Sequence, residues 1–349
     1  MSFISNDTNI IFYWNDSDNL QKNKPEFNLK DFKFLNSTLS YISRNNFTYK
    51  SLLEFLQNHF SLIEINLIKK LIKNLKEHFN LFKKFDKKNI FNNSYLTSSL
   101  IYELENIGLL YLLNPETIDN RHIKVIRFFL NTCYMYFDHT IDNNNVSNRE
   151  KGDLFKYCLN LINNKYLEPK NYIQSQLHTL FNWMKNNYPK FYNNQIRKSF
   201  LDVLKAERNS ITESDLLITM IGKGKSTARV LIELSKLVLS YKNLDNDLID
   251  LIGLFAQAVD DFIDLKLDIV NKNNTYFVNN LKNRGAIDKD IMCLSNLSTI
   301  IANKIINSDF IDKHHNSQKI KNNIHKFMYI IILACVYVNK DNCSIYLLK

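Results

Sequence analysis

The sequence predicts an all-α protein, a single bundle of about ten helices around a central cavity. Among its 349 residues there are only 6 Gly and 4 Pro, the residues that punctuate turns and short strands. Apolar residues recur at intervals of three and four along most of the chain, as in amphipathic helices. No linker or composition break divides it. We therefore expect one helical domain over 36–349, preceded over 1–35 by an irregular lead-in or a short helix.

Polar stretches and prolines separate the predicted helices from one another. The predicted helix over 122–142 is strongly apolar and aromatic, which indicates that it is buried. A polar loop over 143–149 follows it. The longest apolar run, 327–338, is too short to cross a bilayer and predicts a buried terminal helix. The predicted helices cover 51–85, 98–113, 122–142, 152–166, 172–188, 194–207, 214–241 and 246–269, and helical segments alternate with polar joints over 275–349.

The composition indicates which partners and which cellular compartment to expect. The net charge is +10, but lysine is spread along the chain and no basic stripe is interleaved with aromatics, so no nucleic-acid partner is predicted. Most of the charge is background, with some lysines available for a phosphorylated substrate. Five cysteines without a CxxC pair indicate reduced thiols. Without a signal peptide or transmembrane segment, a cytoplasmic protein is expected.

Three aspartates form the clearest chemical motif. Asp260, Asp264 and Asp268 stand at i, i+4 and i+8, so a helix places them on one face over two turns. Such like charges repel one another and favour either water or a cation beside them. Mg²⁺ binds carboxylates of this kind when it also coordinates substrate phosphates. A solvated acidic helix face is the alternative interpretation.

A second set of aspartates favours the metal-binding interpretation over the solvated helix face. Asp138 and Asp142 also share a helix face and also end an apolar, aromatic stretch. Two such helices can face each other across a bundle cavity, with their carboxylates holding a diphosphate through metal ions. Aromatic residues beneath them would line an apolar pocket, although each one alone also fits ordinary core packing. The candidate lining residues are Tyr134, Phe137, Phe255 and Phe262.

These motifs resemble those of the class I terpenoid synthase superfamily. Residues 257–264 resemble the second aspartate-rich motif of prenyltransferases, FQxxDDxxD, with Ala256 in place of Phe, and the triad also has the spacing of the terpene cyclase metal motif. The chain is most similar to large terpene synthases of the tetraprenyl-β-curcumene synthase type over roughly 125–280, through 132–142, the Ser226-Thr227 pair and 259–268. It departs from that family at Met135, where an additional aspartate is usual, and over 271–277.

The resemblance implies a helical isoprenoid-synthase fold with an active-site cavity, a possible homodimer and a prenyl diphosphate substrate. It also implies Mg²⁺ as cofactor, three ions with substrate bound, held by both sets of aspartates. The reaction expected is ionisation of an allylic prenyl diphosphate to a linear or cyclic terpene. A trans-prenyltransferase that adds isopentenyl diphosphate is the first alternative, but the Gly-Lys-Arg-like and Arg-Arg segments of elongating enzymes are missing. A non-catalytic helical scaffold or regulatory subunit is the second.

A glycine- and lysine-rich segment, 222–227, invites a comparison with phosphate-binding P-loops. The pattern needs a glycine where Thr219 stands, so a P-loop is not expected. We predict instead a helix break near the active site. Lys223, Lys225 and Arg229 are candidates to bind the diphosphate, with three surface cations as the alternative, and Lys272 is a further candidate of the same kind.

Overall fold

The computed structural model of the chain is entirely helical where it is described. In that part there are seven α-helices and one 3-10 turn, with no strand, so the all-α prediction is confirmed at that level. The predicted helices at 51–85 and 98–113 lie outside the described residues, as does most of 122–142. The described residues are 11, 14, 137, 140–141, 146–187, 189, 194–210, 213–236, 245–307, 324–325, 328–329, 331–332, 335–336 and 339–343.

The observed helices lie within a few residues of those predicted with bounds. The first begins at Asn148 and ends at Ile162, whereas the sequence predicted 152–166 with a loop up to 149. The helices are α1 Asn148–Ile162, α2 Tyr172–Asn187, α3 Asn194–Ser210, α4 Leu216–Lys236, α5 Asn246–Asn271, α6 Tyr276–Arg284 and α7 Asp288–Ile306, and the 3-10 turn is Lys340–Asn342.

Side-chain caps explain where four of these helices begin. Ser147 and Glu150 form a reciprocal capping box at the start of α1, which explains its early start. The side chains of Asn171, Asp215 and Asp245 accept backbone N–H groups in the first turns of α2, α4 and α5. Each cap satisfies donors that have no partner inside the helix.

The predicted helix break at 222–227 is wrong, because α4 runs without interruption from Leu216 to Lys236. A Cβ added at Gly224 would overlap the backbone of Gly253, and one added at Gly253 would overlap the backbone of Gly224. The two glycines therefore mark a place where α4 and α5 cross with their backbones in contact. Here glycine allows the backbones of two helices to approach closely, and it does not end a helix.

The chain forms two compact units. In the described part of one, α5 packs against α6 and α7, and its buried residues include Leu251, Leu254 and Phe262. This unit also takes in Trp14, Glu213–Ala228 of the α4 region, and the 3-10 turn. In the described part of the other, α1 packs against α2 and α3. The single domain over 36–349 and the ten-helix bundle remain predictions.

Both ends of the chain contribute to the first unit. Trp14 is fully buried, and its Nε1 donates to Tyr276 Oη at 3.2 Å. Asn339 Nδ2 donates to the carbonyl of Phe262 at 2.6 Å, and the amide of Ile287 donates to the carbonyl of Asn342 at 3.2 Å. The described residues of the predicted terminal helix are helical. Among the described helices, none has the length and apolar character needed to cross a membrane.

Candidate functional site

The three aspartates of α5 lie on one continuous helix, in order of increasing distance from its N-terminus. Asp260 is half-buried, Asp264 is exposed and Asp268 is 9% exposed. Because the three aspartates are four residues apart, their side chains lie along one face of the helix. Two of the three carboxylates are thus reachable from solvent, while the third lies at the edge of the buried surface.

Asn273 holds the Asp268 carboxylate in place. Its Nδ2 donates to Asp268 Oδ1 at 2.9 Å, and its backbone N–H donates to the carbonyl of Asp268, also at 2.9 Å. This double contact is possible because Lys272 has a left-handed backbone, with φ of 59°, that turns the chain back over the helix end. No sequence pattern marks Asn273, since its contact with Asp268 depends on that turn.

Lys225, a candidate for binding diphosphate, forms a buried ion pair with Asp250. The Lys225 Nζ lies 3.2 Å from Asp250 Oδ2, and the two side chains are only 8% and 1% exposed. This pair lies close in sequence to the Gly224–Gly253 crossing, on the same two helices. The attraction between the two groups offsets part of the cost of removing both charges from water, and removing one partner leaves the other as an uncompensated buried charge. The structure therefore gives the Lys225 ammonium a carboxylate inside the protein.

The other candidate cations differ in exposure. Lys223 and Arg229 are half-buried on α4, and Lys272 is exposed at the end of α5. Lys223 and Lys272 belong to the first unit and Arg229 to the second.

The predicted aromatic lining residues that are described pack in the interior. The ring of Phe262 stacks on that of Phe277 with centroids 3.9 Å apart, and Phe255 is also buried. In the other unit, Phe137 meets Phe155 edge-on at 5.2 Å. Each of these contacts is what the core-packing interpretation expects. Tyr134 lies outside the described residues.

A buried aspartate that no sequence pattern predicts, Asp290 of α7, contacts two polar side chains of α6. Asp290 Oδ1 accepts from Asn280 Nδ2 at 2.9 Å and from Arg284 at 3.4 Å. Its Oδ2 is buried and has no hydrogen-bond partner among the described residues. Burial raises the pKa of Asp290 to about 6, against the opposing effects of Arg284 and Asn280. No local pattern marks this aspartate, which stands in the first turn of α7.

The described thiols are poorly suited to nucleophilic chemistry. Of the cysteines in the described part of the chain, Cys158, Cys293, Cys335 and Cys343 form no disulfide bond. Burial raises the pKa of Cys158, Cys293 and Cys343 to about 12 in each case. Because the thiolate is the reactive form, these three side chains are largely inert at neutral pH.

The structure describes only one of the two predicted aspartate sets. Asp138 and Asp142 lie outside the described residues, so their expected position opposite α5 stays a prediction. Within the described part, no three His, Cys, Asp or Glu side chains are grouped as ligands for a metal ion. No protein-family model, curated protein or solved structure matches the chain.

Proposed function

We propose that this chain is a Mg²⁺-dependent class I terpene synthase, which ionises an allylic prenyl diphosphate and releases diphosphate with a linear or cyclic terpene. The observation that carries the proposal is the register of Asp260, Asp264 and Asp268 on α5. They follow one face of a single uninterrupted helix whose preceding turns are buried and apolar. The resemblance of 257–268 to the metal motifs of this superfamily supports the same activity.

The donor chemistry of α5 fits Mg²⁺. This ion takes hard oxygen ligands, and it is usually held by one or two carboxylates while water and substrate phosphates complete its shell. It therefore does not need three converging side chains from one helix. Asp260 and Asp264 are reachable from solvent, and Asp268 has one oxygen engaged by Asn273. In the proposal these three aspartates hold metal ions, and Asp138 and Asp142, expected from the sequence to do the same, lie outside the described residues.

The proposed reaction needs a charged region for the departing diphosphate and an apolar pocket for the carbocation. The bond between the allylic carbon and the diphosphate oxygen breaks with both electrons on oxygen, leaving a carbocation. Bound Mg²⁺ would supply positive charge that stabilises the departing diphosphate. Lys223, Arg229 and Lys272 are the cations of this chain proposed to attract the same group, with Lys225 available only if its pair with Asp250 opens. The carbocation then loses a proton or captures water in an apolar pocket.

The test is incubation of the purified full chain with Mg²⁺ and geranyl, farnesyl, geranylgeranyl and longer prenyl diphosphates. We expect diphosphate release and a terpene in the organic extract by mass spectrometry, both abolished by a chelator. Asp264→Asn should lower the rate by about a hundredfold or more, because it weakens the binding of the Mg²⁺ whose charge stabilises the transition state. Asp247→Asn is the matched control, since Asp247 is also exposed on α5 but lies in its first turn.

The same experiment separates the alternatives. Longer diphosphates that form only when isopentenyl diphosphate is added would make the protein a trans-prenyltransferase. No turnover of any substrate would overturn the proposal and favour a helical scaffold or regulatory subunit. Light scattering on the same sample tests the homodimer that is part of the proposal.

A further inference from the structure

The chain turns back where α5 ends, and this turn places an amide beside the last of the three aspartates. Lys272 follows the helix with a left-handed backbone, and the N–H of Asn273 then donates to the carbonyl of Asp268 at 2.9 Å. From the same residue, the side-chain Nδ2 donates to Asp268 Oδ1, also at 2.9 Å. Asn273 therefore contacts both the backbone and the carboxylate of Asp268, which fixes the position of its amide relative to that carboxylate.

The position of Asp268 on its helix is unfavourable for a carboxylate. It lies in the last turn of α5, where the backbone carbonyl groups give the helix end a partial negative charge. Asp264 stands one turn earlier on the same face, so the two carboxylates repel each other. The side chain is also only 9% exposed, which reduces its contact with water. A cation beside Asp268 relieves all three effects, and a donated N–H relieves them in part.

A hydrogen bond to a carboxylate that binds a metal ion decides how that carboxylate is oriented. An unrestrained side chain must lose its rotational freedom when the ion binds, and this loss lowers the affinity. By donating to Oδ1, Asn273 restricts rotation of the Asp268 carboxylate and so fixes the position of both its oxygens. Removal of such a partner typically lowers metal affinity about 10- to 100-fold.

We propose that Asn273 is a positioning residue for metal binding, whose amide orients the Asp268 carboxylate toward a bound Mg²⁺. This inference rests on the metal site of the proposed function, and it deepens that function by assigning part of the metal affinity to a residue outside the aspartate motif. In this role Asn273 acts through Asp268 and touches neither the metal nor the substrate. Its contribution therefore belongs to the affinity for the ion and not to the chemical step at saturating Mg²⁺.

The experiment is a titration of the purified full chain with Mn²⁺, which takes the same kind of oxygen ligands as Mg²⁺. Electron paramagnetic resonance reports the free ion, and no substrate is present, so the result does not depend on turnover. Asn273→Ala keeps the backbone N–H and removes only the amide, and it should weaken Mn²⁺ binding about tenfold or more. Asn274→Ala is the matched control, because it removes an exposed amide one position further along and should leave the affinity unchanged.

Two further measurements separate positioning from a purely structural role. Asp268→Asn should weaken Mn²⁺ binding at least as much as Asn273→Ala does, since the amide acts through that carboxylate. In the turnover assay, Asn273→Ala should raise the Mg²⁺ concentration for half-maximal diphosphate release about tenfold and leave kcat at saturating Mg²⁺ within about twofold of the wild type. A lower unfolding temperature of Asn273→Ala with unchanged Mn²⁺ affinity would overturn the proposal, because the amide would then only stabilise the end of α5.

The outcomes also distinguish failure of this inference from failure of the proposed function. If wild type and Asn273→Ala bind Mn²⁺ equally while the wild type releases diphosphate, the positioning role is wrong and the terpene synthase stands. If Asn273→Ala binds Mn²⁺ more weakly but the wild type turns over no prenyl diphosphate, the positioning role is supported and the terpene synthase is rejected. A wild type that binds no Mn²⁺ overturns the inference.

Discussion

Burial changes what a single charged side chain does in this protein. Lys225 is one of three lysines or arginines in the segment 222–229, and only its buried pair with Asp250 distinguishes it. In water its ammonium would attract a diphosphate, but inside the unit it meets a carboxylate 3.2 Å away. The Lys225 ammonium therefore links α4 to α5, and it can bind a ligand only if its pair with Asp250 opens.

Asp290 is the residue for which acidity and stability are most directly linked. Its folded pKa of about 6 lies above the ordinary value of 3.8, because burial disfavours the carboxylate. The folded state therefore holds a proton that the unfolded state releases between these two values. The associated stability is fully present below pH 3.8 and is lost as the pH rises through about 6. Among the described residues, the titratable groups that interact electrostatically with it are Arg284, Lys289, Tyr276 and Cys293.

We predict that Asp290→Asn removes this pH dependence. The free energy of unfolding of the wild type, relative to the variant, should fall by about 2–3 kcal/mol between pH 4 and pH 7. Urea unfolding followed by circular dichroism at several pH values measures the difference. Subtracting the two curves cancels the contributions of all other groups. Parallel curves across this range would contradict the assignment.

At the scale of the element, α4 and α5 are held by a close crossing of their backbones. Gly224 and Gly253 are the residues whose lack of a side chain permits it, and Ala228 lies against Gly253 as well. Two small residues four positions apart on α4 allow such close approach between helices. The helix tolerates its glycines because tertiary packing, rather than helix propensity, supplies most of its stability.

The two glycines of α4 should respond in opposite ways to alanine. Gly224→Ala places a methyl group against the backbone of Gly253 and should destabilise the protein by about 1–3 kcal/mol. Gly222→Ala meets nothing within 4 Å and should stabilise it by up to about 1 kcal/mol through helix propensity. Thermal unfolding of both variants is the measurement. If both variants shift the midpoint in the same direction, the proposed role of the crossing is wrong.

A single element also divides its length among several tasks. The first turns of α5 supply Asp250 to the buried pair, its middle carries Asp260 and packs Phe262 on Phe277, and its last turns carry Asp264 and Asp268. These roles follow one another along a rigid helix, so their spacing is fixed by its rise of about 1.5 Å per residue.

At the scale of the whole molecule, residues far apart in sequence close the first unit. Trp14 contacts Tyr276 and Phe277, with ring centroids 6.1 Å and 6.3 Å away. Near the other end of the chain, Asn339 binds the carbonyl of Phe262. Such contacts require long loops to close before they form, which makes them costly in chain entropy and cooperative with the rest of the core.

We predict that Trp14→Ala destabilises the first unit by about 3–5 kcal/mol, the usual cost of deleting a buried aromatic side chain. Trp14→Phe is the control: it keeps an aromatic ring against Phe277 and loses the hydrogen bond to Tyr276 and part of the ring volume, so its effect should be clearly smaller. Urea unfolding followed by circular dichroism measures both, since tryptophan fluorescence changes with the substitution itself. An unchanged midpoint in Trp14→Ala would show that the N-terminal segment does not support the unit.

Local patterns were sufficient to predict the helical class, the approximate bounds of α2 to α5 and the shared face of Asp260, Asp264 and Asp268. These features depend on residues within about two helical turns of one another, where period and capping act directly. Even here, Ser147 was overlooked as the start of α1, and the glycines of α4 were interpreted as a break. Both errors came from treating a local signal without its hydrogen-bond or packing partner.

The sequence by itself determined that the described part of this chain is helical and which acidic side chains share a face of α5. Only the tertiary structure decided that Lys225 pairs with Asp250, that Asp290 is buried with a raised pKa, that Gly224 meets Gly253, and that Trp14 belongs to the core. The physical reason is that secondary structure follows from interactions over a few residues. Burial and charge pairing depend instead on which distant segments exclude water from each other.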